Sequence, residues 1–413
     1  MKLEIIDAHG PCSLTNQNQP TSKPSHAEIF RLDQSRAEHI QARIKFNNAK
    51  FELTARSGLP YTFNYIVPVG LGTPKKDLYL IFDTGSDLSW TQCQPCSLSC
   101  YNQTHPIFDP SASTSYSNFS CTKSEECYVG GTSLATCSST HTCIYALTYS
   151  DGSLTAGFLG KEKLTLTPKE VLPDFLFGCG QLNSGSMGRT DGLLGLGRAN
   201  SSIVSQTAEK YKKQFSYCLP SVPSSKGFLK FGKDCNNTGS EIKFTPLTFK
   251  PESPSFYFID IISIAVGGYT LPIHYQTIFR KLSAGTIIDS GTIITRLPPI
   301  AYKALRDEFR KHMTKYDRAP EAEDDFLDTC YRIRKNKSIT IPHVSFTFTN
   351  NVEVNLHAFG IMIVIDPSAT CLAFAANEQP TDLAIFGNNQ QKTLEVVYDV
   401  AGEKLGFRSG MCP

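Results

Sequence analysis

Two strings in this sequence have the composition of a hydrolytic centre. They are Leu80-Ile81-Phe82-Asp83-Thr84-Gly85-Ser86 and Thr286-Ile287-Ile288-Asp289-Ser290-Gly291-Thr292. Each is an apolar run ending in aspartate, a hydroxyl residue, glycine and a second hydroxyl residue. Each is followed further along by a second apolar-Gly element, Leu193-Leu194-Gly195 in one half and Ile385-Phe386-Gly387 in the other. Such a repeat signals duplicated structural units, here two lobes. Carboxylates presented by equivalent turns of two lobes meet at the interface, where clefts form. Held a few ångströms apart, they cannot both ionise comfortably, so one proton is shared and their apparent pKa values separate. One carboxylate then serves as base toward a water, while its protonated partner polarises a substrate carbonyl. That chemistry is direct hydrolysis of an amide.

The flanking residues suit the same task. Gly85 and Gly291 permit close backbone approach at the strand ends. Thr84 and Ser290 are placed to hydrogen-bond across the two turns and fix their separation. Ser86 and Thr292 are placed to donate to the outer carboxylate oxygens, which favours the ionised form. A single Asp-Thr-Gly is usually a surface turn. Two copies in register, one per half, carry the reading.

The elements that must hold these residues are mostly strands. The chain has 413 residues, 40% hydrophobic and 19% charged, enough for two lobes with a core each. Its 26 Phe, 17 Tyr, 29 Gly and 24 Pro suit an all-β protein rich in turns. Helical spacing is confined to three places: the N-terminal region, 201–211 and 300–313. The net charge of +2 gives no electrostatic footprint for nucleic acid. The basic runs Lys210-Tyr211-Lys212-Lys213 and Arg332-Ile333-Arg334-Lys335-Asn336-Lys337 read as solvated surface. The most apolar stretch, Phe256 to Val266, is interrupted by Asp260 and Ser263 and falls short of the roughly 20 residues of a membrane span.

Residues 1–60 read as a separate segment. Ser25 and Glu28 form a capping box, followed by Ile29, Leu32, Ala37, Ile40 and Ile44 at helical spacing. Arg43, Lys45 and Lys50 collect toward the end, where they suit the helix dipole. A surface helix and a removable prosegment are both open on these residues alone. An N-terminal lobe over 61–245 and a C-terminal lobe over 246–413 follow, with Pro246, Pro251 and Pro254 marking the linker.

Further motifs sharpen the picture. They are His9-Gly10-Pro11-Cys12-Ser13, Val69-Gly70-Leu71-Gly72-Thr73-Pro74, Ile385-Phe386-Gly387-Asn388-Asn389-Gln390-Gln391 and Val396-Val397-Tyr398-Asp399. With these the sequence resembles the pepsin-type aspartic proteases, and within them the plant nepenthesin-like branch, over essentially its whole length. The shared-proton dyad is the established device of that family. The resemblance implies a bilobal pepsin-like fold behind a partly helical prosegment, with Asp83 and Asp289 as the catalytic pair. Tyr149 falls where the family has the tyrosine of a hairpin flap, and Trp90 where it has the tryptophan supporting that tyrosine. Ser150 stands where many relatives have glycine. The prosegment would keep the enzyme latent, with a basic side chain such as Lys50 neutralising the cleft.

Fourteen cysteines, seven of them between Cys93 and Cys143, suggest a disulfide framework. Five acceptor sequons, at Asn102, Asn118, Asn200, Asn236 and Asn336, point the same way. The residues Met1 to Asp7 lack an apolar leader, so a secretory destination, with the apoplast as first choice, requires a signal peptide lost from this chain. Only the first cysteine pair has zinc-like spacing, and the insertion reads as disulfides in preference to a metal site. By resemblance the pairs are Cys93–Cys96, Cys100–Cys179, Cys121–Cys143, Cys127–Cys137, Cys218–Cys412 and Cys330–Cys371. Cys12 and Cys235 remain over. The expectation is an acid-active aspartic endopeptidase without cofactor or metal, a monomer acting on protein or peptide substrates. A non-catalytic inhibitor or binding protein on the same fold is the alternative, which the presence of both aspartates, both glycines and Tyr149 disfavours.

Overall fold

The computed structural model describes residues 1–13, 25–45, 65–129, 134–149, 153–185, 187–222, 224–232, 242–319, 327–332, 339–366, 369–410 and 412. The architecture is all-β, as composition predicted. A fifteen-stranded sheet runs through the molecule, and smaller sheets of five, four and three strands complete the C-terminal half. One apolar core joins the two halves, with Phe82, Phe215 and Tyr217 packed in the same cluster as Tyr257, Phe386 and Tyr398.

The N-terminal segment is part of that sheet, a pairing that the segment's own residues do not announce. Strand β1 (Lys2–Asp7) alternates exposed Lys2 and Glu4 with buried Leu3 and Ile5, the period of a half-buried strand. It lies antiparallel between strand β2 (Tyr65–Leu71) and the strand Lys226–Phe231, pairing Ile6 with Ile66 and Leu3 with Leu229. Helix α1 (His26–Lys45) follows. Its predicted capping box is formed: the Ser25 backbone N–H donates to Glu28 Oε2 at 3.0 Å and Glu28 N–H to Ser25 Oγ at 3.1 Å. α1 is not a surface helix. Phe30 lies in one buried apolar cluster with Ile293 and Ile294, and Ala37 and Ile40 lie in another with Phe256, Phe258, Ile287 and Leu383.

The two aspartate strings occupy equivalent places. Strand β3 (Lys76–Asp83) runs parallel to Gly192–Gly195 with Asp83 opposite Gly195. In the other half Thr286–Ile288 runs parallel to Ala384–Phe386 with Ile287 opposite Ile385. The downstream apolar-Gly elements are thus the strands against which the aspartate strands lie. Strand β4 (Trp90–Gln92) sits between Gly192–Gly195 and the long strand Glu170–Ser184.

Helix predictions were right in place and coarse in detail. The segment 201–211 forms two single turns, Ile203–Gln206 and Ala208–Tyr211, and the later helix is Pro299–His312. Helical pieces at Gln276–Leu282, Ala358–Ile361 and Asn388–Gln391 were missed. All four residues of the last are polar yet buried, so no amphipathic period announces it. Pro246 closes the strand Lys243–Pro246, opposite Lys404, where a missing N–H is tolerated.

Among the described residues six disulfides are present, and four of the expected pairings are corrected. Cys218–Cys412 and Cys330–Cys371 stand, but the insertion is closed by Cys93–Cys179, Cys96–Cys100, Cys121–Cys137 and Cys127–Cys143. Register decides this. Thr91 lies beside Cys179 in parallel strands, which brings Cys93 within a Cα–Cα distance of 5.3 Å. Among the described cysteines Cys12 is free; Cys235 lies outside the described residues.

Peptide mapping without reduction should recover the four corrected insertion pairs. A Cys127–Cys137 or Cys93–Cys96 fragment would refute this arrangement. Loop closure predicts about 5 kcal/mol for Cys218–Cys412 and about 2 for the short Cys96–Cys100 loop. Removing the first should therefore lower Tm more than removing the second, as scanning calorimetry of the two double serine variants would show.

Candidate active site

Asp83 leaves the end of β3, where its carbonyl accepts from Leu196 N–H at 2.8 Å. Asp289 leaves the equivalent strand, its N–H donating to Phe386 O at 3.2 Å. The buried polar turn Asn388–Gln391 holds this second turn from behind. Asn388 Nδ2 donates to Ser290 O at 2.9 Å and Gln391 Nε2 to Asp289 O at 3.1 Å.

The two turns are bound to each other reciprocally. Thr84 N–H donates to Ser290 Oγ at 3.0 Å, and Ser290 N–H donates to Thr84 Oγ1 at 2.9 Å. On each carboxylate, Oδ1 accepts from the glycine two residues on, Gly85 at 2.9 Å and Gly291 at 3.1 Å. Oδ2 accepts from the second hydroxyl residue, Ser86 for Asp83 and Thr292 for Asp289. Glycine is required by crowding here. A Cβ on Gly85 would stand 2.8 Å from Asp289 Oδ1, and one on Gly291 2.6 Å from Asp83 Oδ1. The structure thus brings together Asp83, Thr84, Gly85, Ser86, Asp289, Ser290, Gly291 and Thr292.

A further side chain occupies the centre. Arg36 of α1 is 3% exposed, with Nη2 2.8 Å from Asp83 Oδ1 and 2.9 and 3.1 Å from the two Asp289 oxygens. Its Nε donates to Asp289 Oδ2 at 3.0 Å and to Thr292 Oγ1 at 3.2 Å. Burial disfavours this cation, yet Asp289 and Asp83 together raise its pKa above the ordinary arginine value. For Asp289, burial pushes the carboxyl above its usual range, and the Asp83 charge adds to this against the opposing pull of Arg36. The sequence suggests a basic side chain such as Lys50 for this position. Lys50 lies outside the described residues, and Arg36 holds the site. Its signal was available: Asp33 and Arg36 fall on the apolar stripe of α1, where unpaired charges are costly to bury.

Tyr149 and Trp90 also meet. Trp90 is buried on β4 and its Nε1–H donates to the Tyr149 hydroxyl at 2.6 Å. Tyr149 follows the strand Cys143–Thr148, and its N–H donates to Ser153 O at 2.7 Å. Burial raises the tyrosine pKa well above its ordinary value, and Asp83 lies within electrostatic reach. Ser150 lies outside the described residues. The sulfurs of Cys121, Cys127 and Cys143 lie within 4.8 Å of one another, but each is in a disulfide and offers no thiolate to a metal.

The position of Arg36 Nη2 is within hydrogen-bond reach of both carboxylates. A water placed there could be deprotonated by one carboxylate while a carbonyl accepts a proton from the other.

Residues 65–233 match the family model described as Xylanase inhibitor N-terminal, and residues 256–409 match Xylanase inhibitor C-terminal. An Arabidopsis thaliana aspartyl protease family protein is 48% identical, covering 99% of this chain and 87% of its own length. Aspartic proteinase nepenthesin-2 of Nepenthes gracilis is 35% identical over 84% of this chain and 78% of its own. Among solved structures, Basic 7S globulin from soybean superposes with a TM-score of 0.67 at 23% identity, covering 84% of this chain and 93% of that one; this likeness speaks to the fold alone. Similarity at this level over nearly the whole chain places the protein in the plant pepsin-like family of aspartic endopeptidases.

Proposed function

We propose that this chain is the latent form of an acid-active aspartic endopeptidase, with Asp83 and Asp289 as the catalytic pair and residues 1–60 as its prosegment. The observation that carries the reading is the placement of two buried carboxylates around one Arg36 nitrogen. Removal of α1 leaves a position from which a water can bridge them. One carboxylate takes the water proton as the oxygen attacks the peptide carbonyl, and the other donates its proton to the carbonyl oxygen. Thr84 and Ser290 fix the spacing, Ser86 and Thr292 hold the outer oxygens, and the glycines admit the close approach. Tyr149, oriented by Trp90, covers the substrate as a flap.

Latency and acid activation share one cause. The docked Arg36 opposes protonation of Asp289, so a proton taken up by this carboxyl removes an ion-pair partner of α1 and weakens its docking. Falling pH therefore favours release of α1, by up to about tenfold per pH unit for each proton taken up. The same acidity supplies the shared proton. Among the described residues no helix is long and apolar enough to cross a membrane. The six disulfides fit an oxidising compartment, and the described sequon residues Asn102, Asn118 and Asn200 are exposed. We place the protein in the secretory pathway and the apoplast. It would act as a monomer, since one chain supplies both aspartates. The inhibitor alternative has no need of a charge-neutralised, hydroxyl-buttressed carboxylate pair.

The decisive experiment is cleavage of a denatured protein by the acid-converted enzyme between about pH 3 and 7, beside its Asp83→Ala and Asp289→Ala forms. Each variant should lose at least about a hundredfold in rate, and a statine-type transition-state analogue should block the wild type. A folded, disulfide-intact protein without activity, or with activity surviving both substitutions, overturns the assignment.

Latency has its own test. Removing one partner of a buried ion pair costs about 3–5 kcal/mol, so Arg36→Gln should loosen α1 while both carboxylates are ionised. The variant should convert at a pH about one unit or more above wild type, followed as appearance of the shortened chain on gels. Coincident conversion curves would remove Arg36 as the lock.

A further inference from the structure

α1 brings two charges into the cleft, and the carboxylate pair accounts for only one of them. Asp33 stands three residues before Arg36 on the same face and is 1% exposed. Its Oδ1 accepts from Ile293 N–H, and its Oδ2 accepts from Ile294 N–H at 3.1 Å and from Arg296 Nη2 at 2.9 Å. Arg296, itself 1% exposed, also donates from Nη1 to Gln34 Oε1 at 2.5 Å. Ile293 and Ile294 directly follow the Asp289 turn, and Arg296 lies on the next strand, Thr295–Leu297. These donors therefore belong to the wall against which α1 lies, beside the pair that would do the chemistry.

Distance fixes what else could reach them. Asp33 is held by the N–H of Ile293, four residues along the chain from Asp289, and four residues of fully extended chain span at most about 14 Å. An extended peptide advances about 3.3 Å per residue. A Glu or Asp side chain within about three residues of the scissile bond thus reaches across that interval. When α1 leaves, Arg296 loses Asp33 and Gln34, and two backbone N–H groups lose their acceptor. The vacated position presents three donors, one of them a guanidinium, whose planar fork matches a carboxylate. An amide side chain would turn its own NH2 toward donors or leave them unmatched, which is costly in a desolvated site.

We propose that Ile293 N–H, Ile294 N–H and Arg296 form an anion subsite of the mature enzyme that takes an Asp or Glu side chain of the peptide substrate within about three residues of the scissile bond, with Asp33 as its built-in stand-in. Arg296 is the specificity-determining residue. The inference rests on the reading of this cleft as a peptidase site.

The test uses enzyme obtained by acid conversion of the full chain and pairs of peptides that differ only by Glu against Gln, scanned over three positions on each side of the scissile bond. At about pH 5 the free glutamate is largely ionised. The Glu peptide should then exceed its Gln partner in kcat/KM by about tenfold or more at one position. The ratio should decline as pH falls below about 4 and the substrate carboxyl protonates. Arg296→Met should bring the ratio near one, and Arg296→Lys should restore part of it. If these variants fail to fold, the wild-type ratio and its pH profile decide alone. A ratio near one at every position, with the Gln peptides cleaved, overturns the subsite and leaves the peptidase reading intact. Failure to cleave any peptide overturns the peptidase reading, and the subsite with it.

Discussion

Two carboxylates buried at facing strand ends repel each other, and the structure is organised around that repulsion. Like charges about 4 Å apart at an effective dielectric near 20 oppose each other by roughly 4 kcal/mol. The backbone overrides this mechanically. Thr84 and Ser290 exchange hydrogen bonds across the turns, and Asn388 and Gln391 brace the second turn from behind. Two strand pairs with the same parallel register hold the ends in place. Glycine follows from the same constraint, because each turn's glycine abuts the opposite carboxylate.

The N-terminal segment resolves the repulsion electrostatically. Arg36 gives the pair the countercharge it lacks, and Asp33 answers the cation on the adjoining wall. One helical face thus carries a charge pattern complementary to the cleft. Burial makes the match consequential, since these side chains lie in the water-poor interior, where unmatched charge is expensive. β1 adds a second attachment, far along the chain from α1's contacts, by inserting between β2 and Lys226–Phe231. The segment is therefore integrated into the fold in two ways, through a sheet and through buried ion pairs.

The cysteine-rich insertion serves the same centre at one remove. Cys93 follows directly on β4, which carries Trp90, and Cys93–Cys179 ties it to the neighbouring strand. Cys143 begins the strand that leads to Tyr149, and Cys127–Cys143 anchors its root. The two residues joined by the Trp90–Tyr149 hydrogen bond are thereby each held near a covalent staple.

Much of this was legible in the residues. The duplicated Asp-hydroxyl-Gly-hydroxyl strings and their downstream apolar-Gly partners specified two equivalent turns, because short-range spacing and strand chemistry are local properties. The Ser25–Glu28 cap and the stripe from Ile29 to Ile44 specified α1 for the same reason. What the sequence could not determine were the matches between distant segments. The partner of Cys93 depended on which strand lies beside Trp90–Gln92, and the pairing of four insertion cysteines depended on register within a cluster of sulfurs. The residue between the aspartates depended on how α1 lies against the C-terminal half, and so did the pairing of Asp33 with Arg296. Spacing along a chain encodes which face a side chain takes on its own element; only packing of elements against one another decides what that face meets.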